Sequence, residues 1–428
     1  MFSLSFFPRN YNVRRRRLVR RWIAEGYSRD SDDKSAEENG EEFFSKLLNL
    51  SILQQAPQSD TTAFSDVRMV LCRVNGFLRE CILSRGMEEN HGIELTGTGS
   101  LPTQRSGRHL VISESWNRDR AVWESIDSSR LRSMTVFGNW KSFFISKSMK
   151  LLQVLDLEDA VGLTDDDVVL MVKLLTRLKF LSLRGCQGIS HLPRLFGQLR
   201  QIQTLDVTNT SITTLPATVT KLEKLQYIRG GITTISAKDP SAPHTSVSWL
   251  SKFHRRRRPL AGIEVPSGIG KLTELHTLGV VNIGASEGEA VLKMLKNLTK
   301  LRKLGVCGIN SKNCEAFCSA ISSHGHLGSL SVRLDKESQG CVDDIYLPSE
   351  NLQSLKLYGL IDRLPVLPVN KLGKLAKLHL EMATLRVEVI EFLGNLPKLC
   401  IVLESVLGSS RLDQFGSCFC LCKILSKI

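Results

Sequence analysis

Leu178-Lys179-Phe180-Leu181-Ser182-Leu183-Arg184-Gly185-Cys186 reads L-x-x-L-x-L followed by a turn. The pattern returns as Leu152-x-x-Leu155-x-Leu157, Ile202-x-x-Leu205-x-Val207, Leu225-x-x-Ile228 and Leu275-x-x-Leu278-x-Val280. It continues as Leu301-x-x-Leu304-x-Val306, Leu327-x-x-Leu330-x-Val332, Leu352-x-x-Leu355-x-Leu357 and Leu375-x-x-Leu378-x-Leu380. Leu131-x-x-Met134-x-Val136 and Leu399-x-x-Val402 are looser copies. Starts at 152, 178, 202 and 225 lie 26, 24 and 23 residues apart, and those from 275 on keep steps of 26, 26, 25 and 23. One such string means nothing, whereas nine at near-constant spacing define a repeat.

A period of about 20–29 residues with one short strand each is that of leucine-rich repeats. Alternate side chains of a strand share a face, so the spaced leucines point inward together. One repeat cannot bury that face alone, and stacked neighbours bury a continuous core. The expected fold class is therefore an α/β solenoid, a horseshoe of parallel strands with irregular or helical returns. The returns repeat as well: Leu192-Pro193-x-x-Phe196-Gly197-x-Leu199, Leu215-Pro216-x-x-Val219-x-x-Leu222 and Val265-Pro266-x-x-Ile269-Gly270-x-Leu272. Pro ends each strand and Gly permits the tight turn.

With 428 residues, 42% of them hydrophobic and 23% charged, the chain has room for a solenoid and one small domain. A net charge of +14 permits acidic partners without naming one. The 11 cysteines follow no even framework, and the opening apolar run is too short for a signal h-region. Reduced thiols, and a cytoplasmic or nuclear location, are expected.

Before the repeats, Leu18, Val19, Trp22 and Ile23 recur at helical spacing, with arginines on the other face and Gly26 as a stop. Residues 30–39 read as an acidic loop, 41–53 as a helix, and 67–83 as a helix or as a strand followed by a helix. Helices with a small extended piece suggest a winged-helix-like module. The string Phe7-Pro8-x-x-Tyr11-x-Val13 through Leu18-Val19-Arg20-Arg21-Trp22-Ile23-Ala24-Glu25-Gly26-Tyr27 resembles the winged-helix end of the nucleotide-binding region of plant disease-resistance proteins. These are intracellular nucleotide-binding leucine-rich-repeat immune receptors, and the likeness is to their coiled-coil, cereal-type branch. Ala36-Glu37-Glu38-x-Gly40-Glu41-x-x-Phe44-x-x-Leu47 resembles the helix that follows in that family.

The resemblance implies a protein-binding solenoid in plant defence, with ADP or ATP as cofactor only in full-length members. This chain departs from the family in two places. No G-x-x-x-x-G-K-[ST] phosphate loop occurs, so it reads as a family member truncated at the N-terminus, with no cofactor of its own. Where the family carries a Met-His-Asp tripeptide facing the nucleotide, the aligned positions are Val74, Asn75 and Gly76, a degenerate switch or merely a turn.

The expected division is a winged-helix remnant over 1–90, a linker over 91–118, the solenoid over 119–405 with an insertion at about 236–262, and a Cys-rich tail over 406–428. Residues 108–112 would begin an atypical capping repeat. The insertion carries Arg255 to Arg258, a solvated loop or a nuclear-localisation-like patch. Cys314 and Cys318 suit core packing better than metal ligation, and Asp165-Asp166-Asp167 suits a helix N-terminus. Neither H-E-x-x-H nor G-x-S-x-G occurs, so no catalytic or metal site and no enzyme are expected.

What remains is a surface for a protein partner on the concave face: a pathogen effector, a host target or a related receptor. Strand register nominates Phe180, Arg184, Asp206, Tyr227, Arg229, Lys303, Arg333, Lys356, Tyr358, Lys377 and His379. Asp156 and Glu158 sit at the acidic end, whereas the later repeats present mostly Lys, Arg and His. Other readings are a leucine-rich adaptor or scaffold, and a nucleic-acid-binding winged helix using Arg14 to Arg17, Arg20 and Arg21. Nucleic acid is the less expected partner, and no stretch is long enough to span a membrane.

Overall fold

The computed structural model describes Leu4 and residues 7–56, 71–88, 92–97, 106–232, 262–334 and, with short omissions, 340–406. The expected insertion, almost entirely, and the Arg255–Arg258 run lie outside these residues, as does the Cys-rich tail beyond 406. The chain divides into two units, one comprising residues up to 57, 66–212 and 221–227, the other chiefly residues 228 onward.

In the first unit, strand β1 (Val13–Arg14) leads into helix α1 (Arg15–Glu25), which ends where Gly26 adopts φ +82°. The Gly26 N–H closes on the Ile23 carbonyl, a stop that glycine makes without Cβ strain. Helix α2 (Ala36–Asn49) starts earlier than the apolar pattern over 41–53 had it, at the start of the string that resembles the family's helix. Ser35 caps the Glu38 N–H while Glu38 reaches back to Ser35, a reciprocal capping box that pulls residues 36–39 out of the expected loop. Strands β2 (Leu53–Gln55) and β3 (Leu71–Val74) complete a three-stranded antiparallel sheet in the order β1-β3-β2, and helix α3 (Gly76–Glu88) follows. Phe7, Leu18, Val19, Trp22, Phe44, Leu47 and Leu53 form its core, joined by Val111 and Phe137 of the repeats.

Parallel strands then stack: β4 (Gly92–Leu95), β5 (His109–Ile112), β6 (Ser133–Val136), β7 (Val154–Asp156), β8 (Phe180–Ser182) and β9 (Thr204–Asp206). Ile93, Leu110, Met134, Leu155, Leu181 and Leu205 lie in one register row, all buried. The early part of the stretch 91–118, expected to be a linker, thus contributes strand β4, while β5 falls where the atypical capping repeat was expected. The sparse apolar residues of β4, Ile93 and Leu95, suffice because a neighbouring strand covers them. Strand β10 (Tyr227–Arg229) follows. The returns hold helix α4 (Arg120–Glu124), helix α5 (Asp165–Leu174) and a 3-10 turn (Arg194–Gln198) set off by Pro193.

The second unit repeats the scheme with longer strands: β11 (Thr277–Asn282), β12 (Lys303–Cys307), β13 (Ser329–Arg333), β14 (Ser354–Leu360), β15 (Lys377–Met382) and β16 (Ile401–Val406). Leu278, Leu304, Leu330, Leu355 and Leu378 form its core row. Helices α6 (Gly288–Leu295), α7 (Cys314–Ser322) and α8 (Val387–Gly394) serve as returns. Among the described residues, no helix is long and apolar enough to cross a membrane.

Candidate functional site

The outward rows of the first unit follow from register. One row runs His109, Ser133, Val154, Phe180, Thr204; the next runs Thr135, Asp156, Ser182, Asp206. Helix α1 lies on these rows. Ala24 packs on Val154 and Phe180. Arg17 donates to Asp156 through Nε (2.8 Å), and Arg21 donates to the same carboxylate (2.9 Å) and to the Thr135 hydroxyl (3.0 Å). Arg14 donates to Glu158 (2.5 Å) and lies 3.9 Å from Asp206. The Arg20 guanidinium stacks 4.4 Å over the Tyr227 ring, whose hydroxyl donates to Glu37 of α2 (3.2 Å). Phe7 and Tyr11 pack on Phe137, and Arg17 covers both of those N-terminal rings.

This contact is buried. Asp156 is 0% exposed, and Arg17, Arg20 and Arg21 are all below 5%. Burial alone would raise the Asp156 carboxyl, but Arg17 and Arg21 hold it below the ordinary carboxylate range. Burial alone would lower the Arg17 guanidinium, but Asp156 and Glu158 hold it well above its usual value. Arg20, facing a ring rather than a carboxylate, is lowered by burial. Glu25, also desolvated, is raised, its partner Arg21 standing off at 3.7 Å. Such a network adds little net stability over an apolar packing of equal volume, yet removing one member strands a charge in the interior. It selects one docking geometry.

The concave residues named from sequence accordingly separate. Phe180, Asp206 and Tyr227 are buried beneath the winged helix and present no open surface, contrary to expectation. Arg184 lies half-buried near Glu158 (3.9 Å). The arginine helix read as a nucleic-acid surface is likewise committed: Arg15 pairs with Glu41, and of the Arg14–Arg17 run Arg16 alone is exposed. Local periodicity puts charges on the solvent side by default. The signal that would have found the contact is the opposite charge of Asp156, Glu158 and Asp206, with Asp156 and Asp206 two strands apart in one outward row.

In the second unit, one outward row reads Lys303, Ser329, Ser354, Lys377 and the next reads Gly305, Ser331, Lys356, His379. Beyond them Arg333 pairs with Glu381 (3.4 Å) and lies 6.0 Å over the Tyr358 ring, which packs on His379 at 5.0 Å. Burial, then Lys356, pushes His379 down to about 4, so its ring is neutral at pH 7. Lys356 is exposed, and Lys303, Lys377, Tyr358 and His379 are half-exposed. Arg229 lies half-buried on β10.

Elsewhere the polar clusters are structural. Thr164 and Asp167 form a capping box, and Asp165 accepts from the Ser190 N–H (2.9 Å) and hydroxyl (2.5 Å). His191 Nδ1 faces both Asp165 (2.9 Å) and Ser190 (3.2 Å), so the imidazole does not stand between hydroxyl and carboxylate as a proton relay requires. Cys314 is buried, and the Cys318 sulfur accepts the Tyr346 N–H (3.3 Å). Val74 belongs to β3, and Asn75 Oδ1 accepts the Phe77 and Leu78 N–H groups at the start of α3.

Residues 6–74 match the family described as disease resistance protein winged helix domain, and residues 130–418 match the leucine-rich repeat region. The chain belongs to the leucine-rich-repeat disease-resistance proteins of plants. It is 28% identical to disease resistance protein Pik-2 of Oryza sativa subsp. japonica over 97% of this chain and 41% of that protein. It is 27% identical to disease resistance protein RGA4 of the same rice over 99% and 40%. This disease-resistance chain therefore spans about two fifths of the length of the curated relatives it matches. A leucine-rich-repeat protein of Leptospira interrogans, 18% identical, matches 76% of this chain and 88% of its own with a TM-score of 0.41.

Proposed function

We propose that this chain is the protein-recognising and self-restraining part of a plant defence receptor, acting in the cytoplasm or nucleus. The observation that carries it is the seating of α1 on the acidic rows of the first unit. Those repeats already hold a ligand, the winged helix of their own chain, through Asp156, Glu158 and Asp206. Recognition of a pathogen effector, a host target or a related receptor then falls to the outward rows of the second unit, where Lys303, Arg333, Lys356, Tyr358, Lys377 and His379 lie. Nucleotide has no part in this reading, because Val74, Asn75 and Gly76 offer it no charged contact. Duplex DNA is disfavoured, because neutralising phosphates needs free cations and these arginines are spent.

The test is genetic. Plants lacking the gene are challenged with a pathogen panel, then complemented with the wild-type chain or with Ser331→Arg, which fills the floor of the second unit. Loss of resistance to one pathogen, restored by wild type and not by S331R, is the expected result. Unaltered resistance to every pathogen in the plants lacking the gene would end the defence reading.

A further inference from the structure

The backbone position just ahead of each strand forms a row of its own. In the first unit the Arg132 N–H donates to the Arg108 carbonyl (2.7 Å), Gln153 to Arg132 (2.8 Å) and Lys179 to Gln153 (2.7 Å). Gln203 then donates to Lys179 (2.7 Å) and Gln226 to Gln203 (2.9 Å). One rim of the strands thus reads Arg108, Arg132, Gln153, Lys179, Gln203, Gln226, with no apolar and no acidic residue. The matching row of the second unit reads His276, Arg302, Gly328, Gln353, Ala376, so the solenoid itself does not demand this charge.

Further cations gather at the first rim. Burial, then the charges of Lys224, Arg29 and Arg132, lowers the Lys179 ammonium below its ordinary value. Burial, then Glu25, raises the Tyr27 hydroxyl, while Arg108 and Arg132 draw it down. Arg29 donates to the Gly26 carbonyl (2.9 Å) and Lys224 to the Gln201 side chain (2.7 Å), neutral partners that leave both charges uncancelled. Among the described residues, none of these five cations forms an ion pair. Two carboxylates nearby are engaged elsewhere: Glu25 faces Arg21, and Asp30 accepts the Ala36 N–H. Arg29, Arg108, Arg132 and Lys224 are exposed, and Lys179 is half-buried.

We infer that this rim receives a phosphorylated segment of a partner protein, its phosphate held among Arg29, Arg132, Lys179 and Lys224 and its main chain laid along the glutamines. Neighbouring strands are about 4.8 Å apart, so the backbones of Arg132 and Lys179, two steps apart, are separated by about 10 Å. Two long side chains close that gap on one group. A phosphomonoester brings a charge of about −1.5 to −2 and three acceptor oxygens to one spot, whereas a carboxylate brings a single charge. Arginine grips such oxygens through two parallel N–H bonds. The carboxamides of Gln153, Gln203 and Gln226 both donate and accept, as a peptide main chain requires. A nucleic-acid backbone repeats singly charged phosphates along its length, but beyond Lys179 the row turns to glutamine. The inference goes beyond the reading above and uses the first unit alone, so S331R should leave it untouched and either can fail without the other.

The experiment uses the full purified chain and fluorescein-labelled nine-residue peptide pools in fluorescence anisotropy. The central place is phosphoserine, serine or glutamate, and the other places are randomised. The phosphoserine pool is expected to bind at least tenfold more tightly than the serine pool and more tightly than the glutamate pool, with affinity falling as salt rises. The variant R132Q/K179Q, which continues the glutamine row, should lose that preference with an unchanged thermal melt. Should its melt shift, R132Q alone, at an exposed position, carries the test and should weaken phosphopeptide binding about fivefold. The variant K173Q/K312Q, which removes two exposed cations from the returns, should keep the preference. Equal binding of the phosphoserine and serine pools, or an undiminished preference in R132Q/K179Q and R132Q, overturns the inference. An equal loss in K173Q/K312Q also overturns it, since net charge alone would then be at work. Displacement of the phosphopeptides by an equal concentration of inorganic pyrophosphate would make the ligand a free phosphate compound. Tighter binding of a 16-nucleotide single strand would make it a nucleic acid. Either result overturns the peptide assignment.

Discussion

Asp156→Ala is the sharpest test of the arginine contact. The substitution removes the carboxylate that accepts from both Arg17 and Arg21, two guanidinium groups exposed by less than 5%. Neither gains access to water unless α1 lifts. Removing one partner of a buried pair costs about 3–5 kcal/mol, and here the loss falls on helix docking before it reaches the leucine core. At about 1.4 kcal/mol per decade, the undocked population rises by roughly two to three and a half decades. Trypsin reads this directly, because it cuts after arginine and α1 carries Arg15, Arg16, Arg17, Arg20 and Arg21. Where reclosing outpaces cleavage, the rate follows the population of the open form. Cleavage within α1 should therefore accelerate at least a hundredfold in D156A, with the fragment ends located by mass spectrometry. The variant R17M/D156L/R21M/E25L should stay closer to wild type than D156A, since apolar packing of similar volume replaces Asp156, both arginines and the Glu25 carboxylate that Arg21 faces. Cleavage of D156A within threefold of wild type would refute the claim that these charges hold the helix down.

Further expectations concern the same cluster and the turns of the second unit. Burial, then the charge of Glu158, pushes the Asp159 carboxyl up to about 6 from an ordinary 3.8. A raised acid destabilises the native state above its folded value, and the cost vanishes where both states are protonated. Asp159→Asn, tolerated at φ +63°, should thus stabilise by about 3 kcal/mol at pH 7.5 and by nothing near pH 3, measured by thermal melts. Asp156 runs the other way. Its lowered carboxyl contributes stability that is fully present above the usual carboxylate value and lost as pH falls below it through the lowered folded value, so D156A and wild type should converge in strongly acid melts. Tyr227→Phe keeps the ring beneath Arg20 and loses the hydroxyl's bond to Glu37, about 1 kcal/mol by urea unfolding, whereas Tyr227→Ala should cost several times more. A Cβ at Gly288 would collide with the Ile283 carbonyl, so Gly288→Ala should destabilise the start of α6 by more than about 1 kcal/mol, read by hydrogen exchange at Val291 and Leu292.

The strands from Ser133 onward were legible because a strand's inward leucine depends only on its neighbours at i+2 and on the next repeat at a fixed offset. Helix α1 and its glycine stop were legible for the same reason. What lies beyond local reading is whether a charged face meets water. Arg17 and Asp156 are 139 residues apart, and the arginine stripe of α1 has the same periodicity whether solvated or buried. The capping box of Ser35 and Glu38 was present in the string but outweighed by the acidic composition around it. The early strand Gly92–Leu95 carries only two apolar anchors in a Gly-rich setting, so pattern alone assigned it to a linker.

Register rows also bear on how such a chain can diversify. Because Leu304, Leu330, Leu355 and Leu378 align one per repeat, a recombination that exchanges, duplicates or deletes a whole repeat returns an intact core and alters one column of the outer face. In the second unit a Lys, Ser or His can be reshuffled this way without disturbing folding. In the first unit the outer columns of β6, β7, β9 and β10 are each answered by an arginine of α1 or, for β9, by Arg14 just ahead of it, so a repeat moved there arrives with the wrong counter-charge. One half of the surface is open to inheritance by modules, and the other changes only when helix and repeat change together.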